Sequence, residues 1–67
     1  MNNFADILKD LRQENELSIL ALSRKTGISH STICRWENGQ SDIKSDELIK
    51  LAQFFGVTTD FLLGLEY

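Results

Sequence analysis

The chain has 67 residues, 42% of them hydrophobic, which suits one small folded domain and excludes a disordered segment. No apolar run approaches the length of a membrane span, and the first residues lack the pattern of a secretory signal. From the length we expect a single domain, residues 1–67. A single cysteine excludes an internal disulfide, so we expect the protein in the reducing environment of the cytoplasm.

The net charge of −3 is unevenly distributed along the chain. Residues 18–45 carry a net charge of +2, and the remaining residues carry −5. An acidic total argues mildly against a nucleic-acid partner, but asymmetry within a small domain is more informative than the total. Because these charges are few, chance scatter is the alternative, and the asymmetry only supports other evidence.

The first segment with a clear pattern is amphipathic. Apolar residues recur at i, i+3, i+4 and i+7, which predicts a first helix from about Asn3 to Glu14. These residues are Phe4, Ile7, Leu8 and Leu11.

Two short helices are predicted next. Ser18 is a good N-cap for a second helix, Ile19 to Thr26, and Ser29 for a third helix, His30 to Glu37. Each helix is followed by a glycine, which favours the end of a helix. The connection between them is short and contains glycine, so the helices should meet at a steep angle. This geometry is typical of a helix-turn-helix, here at about residues 18–38.

Two more helices complete an all-α domain with five helices and no strand. Ser45 is predicted to cap the fourth helix and Gly56 to end it. Thr58 is predicted to cap a short fifth helix that carries Phe61 and Leu62. The expected buried face of the fourth helix consists of Leu48, Leu51, Ala52 and Phe55.

The third helix has two contrasting faces. Ile33 and Trp36 are one turn apart and should pack inward with Ile28. The outward residues are His30, Ser31, Cys34 and Arg35, with Thr32 near the edge. In a helix-turn-helix this face meets the major groove, where one arginine bound to guanine adds roughly 1–3 kcal/mol of discrimination. A merely solvated face is the alternative, which the bracketing glycines and the preceding helix disfavour.

A pattern of glycines and apolar positions extends over most of the chain. Its most distinctive parts are the turn Trp36-Glu37-Asn38-Gly39 and the segments Leu48–Ala52, Phe55–Val57 and Phe61–Gly64. From about Phe4 to Gly64 the sequence resembles the Cro/C1-type (Xre) helix-turn-helix family. The resemblance implies a five-helix lambda-repressor-like fold. Members of this family are mostly repressors or other transcriptional regulators. The resemblance therefore also implies a regulator, most often a repressor in this family, that binds palindromic operators in double-stranded DNA as a homodimer.

The resemblance also implies which residues contact DNA. Base contacts are expected at His30, Ser31, Thr32, Cys34 and Arg35. Phosphate contacts are expected at Arg12, at the backbone N–H of Leu20, at Asn38, near Gln40 and Ser41 through backbone N–H groups, and at Lys44. Arg12 is further expected to form a partly buried ion pair with Glu37 between the first and third helices.

Three departures from the family pattern bear on DNA binding. Ile19 stands where the family usually has glutamine, Lys44 stands where proline is common, and the loop before the fourth helix is less basic than in strong DNA binders. Fewer phosphate contacts weaken binding and flatten its salt dependence, so we expect modest affinity per subunit and dependence on dimerisation. The expected dimer surface is the C-terminal set Phe61, Leu62, Leu65 and Tyr67. Of these, Phe61 and Leu62 are expected to close the core, which leaves Leu65 and Tyr67 freer for the contact.

Other functions fit the residues less well. His30 and Cys34 have a spacing that can hold a metal, but two ligands are half a zinc site, so we predict no metal and no cofactor. A redox role for Cys34 is a weaker alternative than a groove contact. A lone histidine without an oxyanion loop argues against an enzyme. The rival class is a protein-interaction module, an antitoxin or adaptor, which the acidic charge and Ile19 favour.

Overall fold

The computed structural model describes residues 3–40 and 43–65. These ranges contain five α-helices and no strand, which confirms the predicted all-α class. The helices are α1 (Phe4–Glu14), α2 (Ile19–Thr26), α3 (His30–Glu37), α4 (Ser45–Phe55) and α5 (Thr59–Leu62). Among the described residues, no helix has both the length and the apolar character that crossing a membrane requires.

Three helices begin at a side chain that accepts a hydrogen bond from the first turn. Asn3 accepts the N–H of Asp6, Ser18 accepts the N–H of Ala21, and Thr58 accepts the N–H of Phe61, each at 3.0 Å. Each bond satisfies one of the N–H groups that a helix start leaves without a partner. The predicted caps at Ser18 and Thr58 are therefore confirmed.

Of the other two predicted caps, Ser45 is wrong, and Ser29 is confirmed in position but not in its side-chain bond. Ser45 is already helical, and Lys44 occupies the cap position with an extended backbone and no side-chain cap bond. Ser29 does occupy the cap position of α3, but its side chain makes no cap bond. The Ser29 hydroxyl instead lies 3.0 Å from the hydroxyl of Ser31.

The core lies between all five helices and holds α3 in place. α1 packs on α3, where the Phe4 and Trp36 rings meet edge to face with centroids 5.9 Å apart. Aromatic pairs favour this arrangement. Ile28, Ile33 and Trp36 are buried, as predicted. The side chains that are most deeply buried are Trp36, Leu8, Leu22, Ile33, Leu51 and Leu62.

The turn between α2 and α3 satisfies its own polar groups. Gly27 adopts a left-handed conformation (φ 76°), and its N–H donates to the Ser23 carbonyl at 2.8 Å. The buried Thr26 hydroxyl donates to the Leu22 carbonyl at 2.8 Å and accepts the Ile28 N–H at 3.3 Å. Because these hydrogen bonds satisfy polar groups of the turn internally, they fix the angle between α2 and α3.

The C-terminal residues divide between the core and the surface. Leu62 is fully buried, whereas Phe61 is 40% exposed and Leu65 is 61% exposed. The prediction that Phe61 and Leu62 close the core is therefore confirmed for Leu62 and wrong for Phe61. Tyr67, named with them as a dimer contact, lies outside the described residues.

Candidate DNA-binding site

The outward face of α3 is a continuous polar surface. His30, Ser31 and Arg35 are exposed, and Thr32 and Cys34 are half-buried at its edges. These are the five residues expected to contact bases, and the structure brings them together on one side of one helix. The face is complementary in chemistry to the donors and acceptors of the major groove.

Two of these residues also contact each other. The Cys34 sulfur lies 3.8 Å from the His30 Nδ1. In the described part of the chain, no third histidine, cysteine or carboxylate joins them in a group that could hold a metal. The contact therefore holds the two side chains together on the outward face of α3.

Ser29 belongs to the same surface, although sequence reasoning gave it only a capping role. The residue is exposed, and its hydroxyl bonds to that of Ser31 rather than to the start of α3. The only signal for this in the sequence is the spacing of two serines across the helix start. That spacing allows a side-chain pair as readily as a cap.

The expected pair between α1 and α3 is present in the structure. The Arg12 Nε and Nη2 atoms donate to the two carboxylate oxygens of Glu37 at 2.7 and 2.9 Å. The Arg12 Nη1 atom donates to the Leu17 carbonyl at 2.8 Å. The side chains of Arg12 and Glu37 are 12% and 6% exposed, so the pair is largely shielded from water. A bidentate pair of this kind fixes orientation as well as distance.

The pKa of Arg12 is raised above its ordinary value. The main cause is the hydrogen bonding to Glu37, which outweighs the opposing effect of burial. Arginine is already charged at every accessible pH, so this shift adds no switch near neutrality. The stabilisation is present below the ordinary pKa of arginine and is lost only as pH rises through the higher folded value.

The candidate phosphate contacts lie around α3. Asn38, Gln40 and Lys44 are exposed, and Ser41 lies outside the described residues. The first-turn N–H of Leu20 has no partner within its helix, as helix geometry requires. An anion near the start of α2 would meet this group and the positive end of the helix dipole.

The backbone at the end of α3 is already partly engaged. The Gln40 N–H donates to the Arg35 carbonyl at 2.8 Å, and the Gly39 N–H donates to the Trp36 carbonyl at 3.0 Å. These bonds close the helix end, where carbonyl groups otherwise lack partners. Because the Gln40 N–H is already bonded, a phosphate contact by Gln40 would have to come from its exposed side chain.

Two helices joined by a fixed turn, the second with a buried apolar face and an exposed polar face, define a helix-turn-helix protein. A family model described as helix-turn-helix matches residues 8–62. The chain belongs to the Cro/C1-type (Xre) helix-turn-helix family of transcriptional regulators.

Curated relatives share this description. The chain is 32% identical over 57 residues to the HTH-type transcriptional regulator ImmR of Bacillus subtilis, covering 85% of this chain and 45% of ImmR. It is 33% identical over 58 residues to YobD of the same organism, an uncharacterised HTH-type transcriptional regulator, covering 87% of this chain and 52% of YobD. It is also 32% identical over 57 residues to the antitoxin PezA of Streptococcus pneumoniae, covering 85% of this chain and 36% of PezA.

A solved structure shows the same fold. The crystal structure of a transcriptional regulator from Listeria innocua superposes with a TM-score of 0.86 at 25% sequence identity. The alignment covers 97% of this chain and 61% of that chain. The chain thus spans about half the length of the curated relatives ImmR and YobD, and somewhat more of the solved structure.

Proposed function

We propose that this chain is a repressor that occupies a palindromic operator in double-stranded DNA as a homodimer, with α3 in the major groove. The observation that carries the proposal is the division of α3 into two faces. Ile33 and Trp36 are 0% and 1% exposed, while Arg35 on the other side is open to solvent. A helix anchored in this way presents its polar side to base edges without rearrangement. Repression then requires only occupancy of the operator.

Arg35 is the proposed principal reader of sequence. Its guanidinium can donate two hydrogen bonds to the O6 and N7 atoms of guanine, a pairing worth roughly 1–3 kcal/mol against the wrong base. His30 and the hydroxyls of Ser29, Ser31 and Thr32 supply further hydrogen bonds to bases or nearby phosphates. The Cys34 thiol, at the edge of the same face, is the remaining proposed groove contact.

Phosphate contacts are proposed to set the position of α3 in the groove. Arg12 keeps part of its guanidinium for this role, because its three hydrogen bonds to Glu37 and Leu17 do not use every N–H donor. Asn38 and Gln40 are exposed directly after α3, and Lys44 is exposed at the start of α4. The proposed contacts also include Ser41. Contacts of this kind position a protein without reading sequence.

Dimerisation is proposed because one short helix reads few base pairs. Two copies would place α3 in successive major grooves about 34–36 Å apart, which doubles the sequence that is read. Leu65 is 61% exposed and is the best described candidate for the contact between copies. Leu62 is excluded from that role because it is fully buried.

Selection of bound sequences from a random DNA pool tests the proposal. We expect enrichment of an inverted repeat whose half-sites are centred about one helical turn apart. Enrichment of a single half-site would contradict the dimer. A pool that stays random after repeated selection at low salt would contradict sequence-specific binding altogether.

A second candidate function, a protein-interaction module on the same fold, is favoured by one observation. Leu20, in the first turn of α2, is 47% exposed, an apolar surface where phosphate binding needs polar groups. The similarity to a protein named as an antitoxin is consistent with such a role. This candidate predicts that DNA binding stays weak and random, and that Leu20→Gln abolishes partner binding without changing DNA affinity.

A further inference from the structure

A small depression lies between α1 and α5, on a part of the surface that the proposed DNA contacts do not use. Its volume is about 190 Å³, and it is lined by Ile7, Leu11 and Phe61 with Asp10 and Glu14. This volume is below that of typical small-molecule sites, which span roughly 300–1,000 Å³. The depression is therefore suited to one long side chain rather than to a cofactor or drug-sized ligand.

The depression combines an apolar floor with an acidic rim. Phe61 is 40% exposed and, with the edges of Ile7 and Leu11, forms an apolar floor. Asp10 and Glu14 are exposed at the rim. Among the described residues, neither carboxylate has a salt bridge or a side-chain hydrogen bond. The rim thus carries two unpaired negative charges beside an apolar surface.

The position of the depression on α1 keeps it away from DNA. Asp10 and Glu14 are each two residues from Arg12, which places them about 200° around the helix from that side chain. Arg12 faces α3 through its bond to Glu37. The two carboxylates therefore lie on the far side of α1, where phosphates do not repel them and where a protein can bind while α3 occupies DNA.

We propose that this depression docks an arginine side chain of a protein partner. The aliphatic part of an arginine can lie on an apolar surface while its charged end remains at the rim. Its guanidinium would then meet Asp10 and Glu14, with the ring of Phe61 available for a cation–π contact. Charge complementarity selects arginine or lysine over any acidic or neutral side chain. The planar fork of arginine matches two carboxylates better than the point charge of lysine does.

An NMR titration of the whole chain tests the assignment. The probe is an alanine-based helical peptide of about 15 residues that presents arginine and leucine one turn apart. The matched probe has citrulline in place of arginine, which keeps the shape and removes the charge. We expect saturable shifts at Asp10, Glu14 and Phe61 with the arginine peptide, and binding that is about five- to tenfold weaker with the citrulline peptide.

Two double variants make the result specific. The double variant Asp10→Asn with Glu14→Gln should bind the arginine peptide about five- to tenfold more weakly, while its NMR spectrum remains that of a folded protein. Asp46→Asn with Glu47→Gln removes the same charge from the start of α4 and should leave peptide binding unchanged. Operator binding should survive both variants, which separates this proposal from the proposed function.

Several outcomes would overturn the proposal. Equal binding of both peptides would make the contact purely apolar, and equal loss in both double variants would make it unspecific attraction. If the arginine peptide produces no saturable shifts, the depression does not bind arginine. Shifts of Asp10 and Phe61 that depend on protein concentration without peptide would assign the depression to a second copy of the chain.

Discussion

The ion pair between Arg12 and Glu37 joins α1 to the helix that carries the proposed DNA surface. It ties α1 to the end of α3, and in the proposed function it also aligns the guanidinium for a phosphate. The pair is largely shielded from water, with exposed fractions of 12% and 6%. Removing one partner therefore leaves the other charge poorly solvated, which costs more than losing a surface pair.

Glu37→Ala should destabilise the chain by about 2–3 kcal/mol, because Arg12 loses its bidentate partner in a half-buried site. Urea unfolding followed by circular dichroism measures this change. The matched control is Glu14→Ala, which removes the same side chain from the exposed side of α1 and should change stability by less than about 0.5 kcal/mol. Equal losses in both variants would show that the pair adds nothing particular.

Glu16 is the one described residue other than glycine with a left-handed backbone, at φ 55°. A β-branched side chain is strained there, so Glu16→Val should destabilise the chain by about 1–2 kcal/mol, whereas Glu16→Gly should be neutral or slightly stabilising. Thermal unfolding of both variants checks the order. If valine and glycine behave alike, the conformation of Glu16 is not what limits this turn.

At the scale of elements, the turn between α2 and α3 determines how the polar face is presented. Gly27→Ala should cost about 1 kcal/mol because alanine is disfavoured at φ 76°. No heavy atom lies within 4 Å of the added Cβ, so the loss would come from the backbone and not from packing. Gly27→Asn should lose less, because asparagine tolerates this conformation better. Equal losses for alanine and asparagine would contradict this explanation.

The helices were largely predictable because their signals are local. Ser18, Gly27 and Thr58 each end or start a helix through bonds within a few residues, and the periodicity of α1 directly indicates its buried side. The boundary at Ser45 was not predictable in the same way. Lys44 takes the extended backbone of the cap, and its carbonyl accepts the Leu48 N–H at 2.9 Å, so α4 starts there without a side-chain cap.

The candidate site was predictable in outline but not in its details. Burial of Ile33 and Trp36 follows from periodicity, which leaves the polar residues of α3 outside. The hydrogen bond between the Ser29 and Ser31 side chains depends on their rotamers, which a sequence pattern does not reveal. The exposure of Phe61 depends on how α5 meets α1, a tertiary arrangement that two adjacent apolar residues cannot reveal.

Across the whole molecule, charge is distributed unevenly between the helix-turn-helix and the rest of the chain. The segment 18–45 carries a net charge of +2, and the remaining residues carry −5. In the proposed function, DNA would repel the acidic segments, which favours an approach that leads with α3. The proposed arginine site beside Asp10 belongs to the acidic part of the chain, on the side of α1 that faces away from Arg12.

Leu65→Glu should weaken operator binding at least about tenfold while leaving the chain folded, because charge at an exposed dimer contact opposes pairing of two copies. Fluorescence anisotropy on the selected operator, together with sedimentation of the free protein, measures both effects. Ile49→Glu is the control: Ile49 is 48% exposed on α4, and the change should leave binding within about twofold. Unchanged binding by the Leu65 variant would contradict this dimer surface.

The DNA-binding specificity of Arg35→Ala tests whether α3 reads DNA sequence. We predict that the ratio of affinities for the selected operator and for scrambled DNA falls about tenfold or more, as expected for the loss of one arginine–guanine pair. Arg24→Ala, which removes the same charge from an exposed position on α2, should leave that ratio unchanged. If both variants keep the parent's ratio across salt concentrations, α3 does not read DNA sequence through Arg35, and the proposed function is contradicted.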